Sequence, residues 1–390
     1  MIILKLALKN LWGAGIRTWL NVIVLSIAFV AIVFMQGLYI GMNEHASRSL
    51  IDAVYGGGQY WHKNYHPYDA LSPEDAHAPI PAELQRLIDD GRATPLLFTQ
   101  ATAYPNGRMA ALQIKGIPLE QRVLNLPSAA LRSSDDELLA FIGTRTAKKL
   151  RLAEGDVMVL RWRDRNGVFD AAEVKIVQVM KTSVPTIDVG SLWLPLDRLQ
   201  QMLDTPNEAT LVVLDKNIGE TPQIADWTLR TPDYLLADLR EIVKQKSLSA
   251  SILHVVLLAM GLLAIFDTQV LSIFRRRKEI GTLIALGMTR SRVIQLFTLE
   301  GALHGILAAL LGAVWGAPLM WTLARNGWTL PSSTDDFGIA IGEKLYPLYT
   351  SGLILGTALL VFAAVTIVSF LPTRRIARLN PTDALRGRRV

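Results

Sequence analysis

The chain has 390 residues, of which 51% are hydrophobic and 19% charged, with a mean hydropathy of +0.29, no cysteine and a formal net charge of +6. Soluble globular chains carry about 25% charged residues, so this composition excludes a disordered chain and points towards lipid. Without cysteine there is no disulfide framework, no thiolate metal site and no Cys nucleophile.

In chain order, residues 1–18 predict a short amphipathic helix on the cytoplasmic membrane surface, with Leu4, Leu8, Leu11 and Trp12 apolar and Lys5 and Lys9 between them. Residues 19–40 hold no charge. A helix of that length crosses a hydrocarbon core of about 30 Å, and the run exceeds a signal-peptide core, so an uncleaved first span is expected.

Residues 41–247 predict a folded α+β domain. Pro81 opens a helix over 82–89. Strands over 157–162 and 173–180 flank Asn166-Gly167, a strong hairpin-turn pair. Residues 142–150 predict a helix followed by a turn at Gly155-Asp156, 191–195 a strand running into a helix over 195–203, and 210–214 a further strand. A seam between two lobes is expected near 125–140. From Pro232 the helical spacing runs on into the second span, 248–274, as one continuous helix.

That span is interrupted by His254 and Asp267. Residues 275–292 are too short and too charged to cross. Arg276, Arg277, Lys278 and Glu279 lead into Ile280, Gly281, Ala285, Leu286 and Gly287. Ile280, Leu283, Ile284 and Leu286 make one apolar face, suited to docking in a groove on a partner. Glu279 favours the helix start and Gly287 its end.

The third span, 293–325, carries Glu300 and His304, which share a helix face and are placed to hydrogen-bond each other. Gly301 with Gly305, and Gly312 with Gly316, have the small-xxx-small spacing that permits close helix contact. Ionisable groups inside a bilayer are costly and face a bundle interior, so Glu300 and His304 are expected in structural pairs and Asp267 near the inner interface. A short external loop over 326–348, a charge-free fourth span over 349–371 and a basic tail over 372–390 complete the chain.

Residues 1–18, 275–292 and 372–390 together hold fifteen Lys and Arg against two acids, whereas 41–247 carries a net charge of −4. The excess of basic residues on cytoplasmic loops puts both termini and the 275–292 segment inside and the large domain outside. Topology thus accounts for the basic balance without nucleic acid. No G-x-x-x-x-G-K-[ST] phosphate loop occurs, and no nucleophile or paired-carboxylate arrangement can be argued, so no catalytic residue is expected. His62, His66 and His77, near Asp69, Glu74 and Asp75, match no common metal spacing and read as a surface loop; no metal or cofactor is expected in this chain.

The stretch from Phe274 to Gly316 resembles a signature of the MacB/FtsX-type ABC transporter permeases, through Glu279-Ile280-Gly281, Ala285-Leu286-Gly287, Glu300, and Gly301, Gly305, Gly312 and Gly316. The tail from Leu371 to Gly387 is similar to that family's closing Pro-x-Arg-Arg and Asn-Pro-x-x-Ala-Leu-Arg motif, and residues 56–68 and 142–160 look like its periplasmic core domain. The resemblance implies an α-helical membrane protein of the bacterial inner membrane, with four transmembrane helices plus a large extracytoplasmic α+β domain between the first and second helices. It implies that residues 276–281 and 285–287 couple to a separate ABC-type ATPase, which would hold ATP and Mg. It also implies a second permease chain, in a homodimer or heterodimer. The outer segment looks closest to the lipoprotein-releasing permeases, which implies extraction or export of a lipoprotein, lipid or hydrophobic substrate from the outer leaflet. Two alternatives stay open: a force-transmitting scaffold regulating an extracytoplasmic partner, and the permease of a tripartite drug or peptide exporter.

Overall fold

The computed structural model describes residues 7, 15–69, 71–132, 137–219, 221–329 and 344–374. Most of the amphipathic helix expected over 1–18, residues 330–343 of the external loop and the tail beyond Arg374 lie outside the described residues. The chain divides into two compact units, one helical and one built on a large sheet. Among the described residues, four long apolar helices, with an α/β region between the first and the second, give the architecture expected from the sequence.

The helical unit is made from α1 (Ile16–Leu50) as far as Met42, α5 (Ala237–Arg275) from Ile242, α6 (Arg277–Ala285), α7 (Arg290–Asn326) and α8 (Ser351–Thr373). At 1.5 Å per residue, the 39 residues of α5 reach about 58 Å, roughly twice the hydrocarbon core. The single helix expected from Pro232 is divided: a short helix over Pro232–Leu235 ends at Leu236, and α5 runs unbroken from Ala237 through the second span. Val22, Leu25, Phe29, Val30 and Val33 of α1 meet Ile265, Ala308, Met320, Val361 and Val365 in the bundle core. Lipid offers no hydrophobic drive for such packing, so close fit and interhelical hydrogen bonds must supply it. Asn21 Nδ2 donates to Thr268 Oγ1 at 2.8 Å, and the Thr298 and Thr373 hydroxyls lie 3.0 Å apart.

The second unit contains β1 (Gln59–His62), α2 (Ala82–Asp89), β2 (Ala93–Tyr104), β3 (Ala110–Ile117), β4 (Leu138–Gly143), α3 (Thr144–Leu150), β5 (Val157–Arg163), β6 (Phe169–Met180), β7 (Ser191–Pro195), α4 (Leu196–Leu203), β8 (Leu211–Leu214) and β9 (Trp227–Arg230). The strands run in the order β9-β1-β8-β2-β3-β7-β4-β6-β5, and β5 returns to pair with β2. Six strands, from β2 round to β5, thus close into a barrel. The 12-residue β2 makes this possible. Its first residues pair with β8, its middle with β3, and its end with β5 through Ala101↔Trp162 and Tyr104↔Val159. Along β5, Met158, Leu160 and Trp162 point inward and alternate with exposed Val157, Val159 and Arg161. Asp164 Oδ1 accepts from the backbone of Asn166 and Val168, closing the β5–β6 hairpin at the expected Asn-Gly pair.

Three sequence expectations change here. The helix expected from 142 starts at Thr144, because Ile142 and Gly143 complete β4, a fully buried strand whose apolar run has no alternation to betray it. The seam expected near 125–140 falls elsewhere. The barrel core and the smaller core of Tyr60, Leu84, Ala93, Val212 and Trp227 meet within β2 and again between α4 and β8, so the barrel is inserted in the smaller lobe. The histidines also do not form one surface loop. His62 is buried beside Trp227, and burial pushes its pKa down. His77 Nδ1 lies 2.5 Å from Glu208 Oε2. Among the described residues no three His, Asp or Glu side chains gather as a metal shell.

Two buried charges clamp the segment before β7. Asp188, fully buried, accepts from the backbone N–H of Arg145 and of Thr146, each at 3.0 Å. A residue 42 positions downstream thereby caps the first turn of α3, where no local side chain does. Gly143 leaves room for it: a Cβ there would collide with the Asp188 carboxylate. Lys115, on β3, donates to Thr186 O at 2.7 Å and lies over the rings of Phe98 and Trp193. Burial pushes its ammonium pKa down to about 7.

Candidate functional site

The segment between the second and third spans forms a compact turn of structure. α5 ends at Arg275, Arg276 breaks the helix with φ −96° and ψ 16°, and α6 follows directly. At its end Gly287 adopts φ +94°, a conformation that L side chains rarely take, with Gly287 N–H donating to Ile284 O and Met288 N–H to Leu283 O, both at 3.0 Å. This is the paired-bond glycine cap of a helix C-terminus, and it turns the chain back into α7.

The apolar face of α6 does not point outward as the sequence suggested. Ile280 and Gly281 are buried, and Ile280, Leu283 and Ile284 pack against Ile273, Val293 and Phe297 of the flanking helices. An amphipathic pattern identifies a buried face without saying what buries it, and here the chain's own helices do. The outward face carries Lys278, Glu279, Thr282, Ala285, Leu286 and Gly287. Leu286 is 81% exposed.

Arg276 holds this segment from inside. Its Nε and Nη2 donate to the two carboxylate oxygens of Glu279 at 2.7 and 2.9 Å, and its Nη1 to those of Glu300 at 3.1 and 3.2 Å. The guanidinium carbon also lies 4.8 Å from the Phe297 ring centroid. The hydrogen bonds to Glu279 hold the guanidinium pKa above its usual value, and those same bonds hold the Glu279 carboxyl below the ordinary range. Arg277 covers the ring of Phe274. Glu300 therefore spends its carboxylate on Arg276 rather than on His304. The His304 ring Nδ1 faces the backbone oxygens of Glu300 and Gly301 at 3.0 and 3.2 Å. The helix face shared by the two residues is real, but the side-chain pair is not formed.

Asp267 is exposed on α5, and His254 is buried. The glycines lie at helix crossings. A Cβ at Gly301 would strike Ser369, and one at Gly305 would touch Phe362 and Val365 of α8. At Gly312 it would come within 2.9 Å of Phe29, and at Gly316 within 2.7 Å of Val30, both on α1. Sequence reasoning passed over the polar residues of the other spans. Asn21, Thr268, Gln269, Ser369 and Thr373 sit with Glu300 and His304 in the half of the bundle nearest α6. Their signal was simply polarity inside an apolar run.

Residues 251–381 match the model of the FtsX-like permease C-terminal family. Over 98% of its length the chain is 23% identical to the macrolide export ATP-binding/permease protein MacB of Sodalis glossinidius, and it covers 60% of that relative. It is 28% identical to the lipoprotein-releasing system transmembrane protein LolC of Xylella fastidiosa over 42% of this chain and 39% of that one. An uncharacterised ABC transporter permease of Methanocaldococcus jannaschii is 24% identical over 47% of the chain. The chain thus spans between about two fifths and three fifths of these relatives. Residues 251–381, which hold most of the second apolar helix, the α6 turn and the third and fourth apolar helices, accordingly match an FtsX-like permease domain, and the chain is similar to permeases of the MacB and LolC type.

Proposed function

We propose that this chain is the membrane subunit of an ABC transporter, with the outward face of α6 docking on an ATP-binding partner on the cytoplasmic side. The observation that carries this reading is a short helix whose Ile280, Leu283 and Ile284 pack on its own bundle, leaving a mixed charged and apolar face with exposed Leu286 at its end. Such a helix is held rigid before any partner arrives, which lowers the ordering cost of binding. The basic balance of residues 275–292 and of the two termini supports a cytoplasmic location for all three, and hence an outer location for 41–247.

In this reading ATP binding closes the partner subunits. The push enters α6 and travels along α5 and α7, so the work is done by movement of the outer domain. A second permease chain completes the assembly. The substrate is a hydrophobic or lipid-linked molecule taken from the outer leaflet, consistent with the LolC and MacB relatives, whose printed roles are lipoprotein release and macrolide export.

Leu286→Asp tests the docking face. Leu286 is almost free of intramolecular contact, so the variant is expected to fold and insert normally. An exposed apolar anchor at an interface is worth about 2 kcal/mol. A tagged wild-type chain extracted in detergent is therefore expected to retain an ATP-binding protein, identified by mass spectrometry, and the variant to retain about tenfold less or lower. Equal recovery with both forms would move docking away from α6.

A further inference from the structure

We propose that Arg276 and Glu300 form a latch that makes α6 and α7 move as one body, with Arg276 a positioning residue that passes displacement of α6 into the bundle. The proposal rests on the coupling reading above. Its geometry is that of a single cation at the break between two helices, gripping two carboxylates on opposite sides. The Glu279 side is half-exposed, where water and salt screen the pair and its worth is small. The Glu300 side differs: that carboxylate is 7% exposed, on a helix lined by apolar groups, and Arg276 meets both its oxygens. In such surroundings an ion pair is strong once formed, and losing one partner strands the other charge. The Phe297 ring covers one face of the guanidinium.

The joint is also placed where it counts. Arg276 is the first residue after α5 and precedes α6, so the backbone there is a hinge with non-helical angles. Apolar packing of Ile280 and Leu283 under α7 resists separation but slides, having no directional bonds. The hydrogen bonds from the single Nη1 to both Glu300 oxygens add the direction and fix which turn of α7 follows α6.

The two carboxylates give the proposal a discriminating signature. If α6 served only as a docking surface, exposed Glu279 would matter more than buried Glu300. A latch requires the reverse order. The test uses the complex purified with its ATPase, with spin labels on Cys introduced at exposed Leu248 and Leu319, which the cysteine-free chain permits without background. The readout is the label-to-label distance change on adding ATP and vanadate.

Wild type is expected to show the change in full, and Glu279→Gln to lose less of it than Glu300→Gln. Glu300→Gln is expected to retain the ATPase at wild-type yield while the shifted population falls at least about fivefold. The exchanged pair Arg276→Glu with Glu300→Arg is expected to recover it, which separates lost coupling from lost folding. A full change in Glu300→Gln, or no change in wild type with the ATPase bound, would overturn the latch. No ATPase bound to wild type would instead overturn the permease reading on which the latch rests.

Discussion

Replacing Asp188 by Ala is expected to lower the unfolding free energy of the sheet-built unit by about 3 kcal/mol or more. The carboxylate has no water contact and receives the backbone N–H groups of Arg145 and Thr146 at 3.0 Å, with Arg145 Nη1 a further 3.4 Å away. Its backbone oxygen accepts from the Thr146 hydroxyl, which in turn accepts from Gly190 N–H at 2.9 Å. Removing the carboxylate leaves two N–H groups at the start of α3 buried without acceptors, and an unmade buried hydrogen bond costs more than a made one contributes. Urea titration of the detergent-solubilised chain, followed by tryptophan fluorescence, checks it. A loss under about 1 kcal/mol would show that the clamp on α3 is held by other groups.

Raising the pH from about 7 to about 10 is expected to stabilise the same unit through Lys115. Folding depresses its pKa from 10.5 to about 7 by burial. Between those values the unfolded chain binds a proton that the folded chain has released, so stability rises with pH across the window and is flat in this term below it. A gap of that size corresponds to roughly 5 kcal/mol. The Lys115→Met variant removes the titrating group while keeping a long side chain between Phe98 and Trp193, and Thr186 O retains the Ser191 hydroxyl as a donor. Urea titrations at intervals from pH 7 to pH 10 are expected to show wild type gaining stability relative to the variant. Parallel curves would mean that Lys115 stays protonated in the fold.

Those two residues also show where sequence reading stops. The spans, the Asn-Gly hairpin, the helix after Pro81 and the short helix ended by Gly287 follow from local patterns: an apolar run, a turn pair, a start signal, a glycine cap. β2 and β3 were not anticipated, because Pro95, Gln100, Gln113 and Lys115 break the apolar pattern, and barrel closure depends on β2 pairing with β5 some 60 residues away. A lysine in a chain is normally written off as solvated; only the barrel wall reveals Lys115 as buried. Asp188 looks like any turn acid until α3 is placed over it.

The candidate site divides in the same way. Its residues were legible from the charge run, the Ile-Gly and Leu-Gly pairs and the ionisable groups in the third span. Their pairing was not. Helix periodicity put Glu300 beside His304, but Arg276 arrives from the preceding helix break and takes the carboxylate, because hydrogen bonds between a guanidinium and a carboxylate are among the strong ones. Periodicity likewise drew the apolar face of α6 without telling that α5 and α7 would cover it.

The central claim is that the outward face of α6 meets an ATP-binding subunit. Its most direct test is a photo-crosslinking residue placed at Leu286 in the living cell, followed by mass spectrometry of the adduct. An adduct with a protein carrying a G-x-x-x-x-G-K-[ST] loop is the predicted result. Adducts with lipid alone, while the chain is inserted and intact, would contradict it and return α6 to the role of a membrane-surface turn.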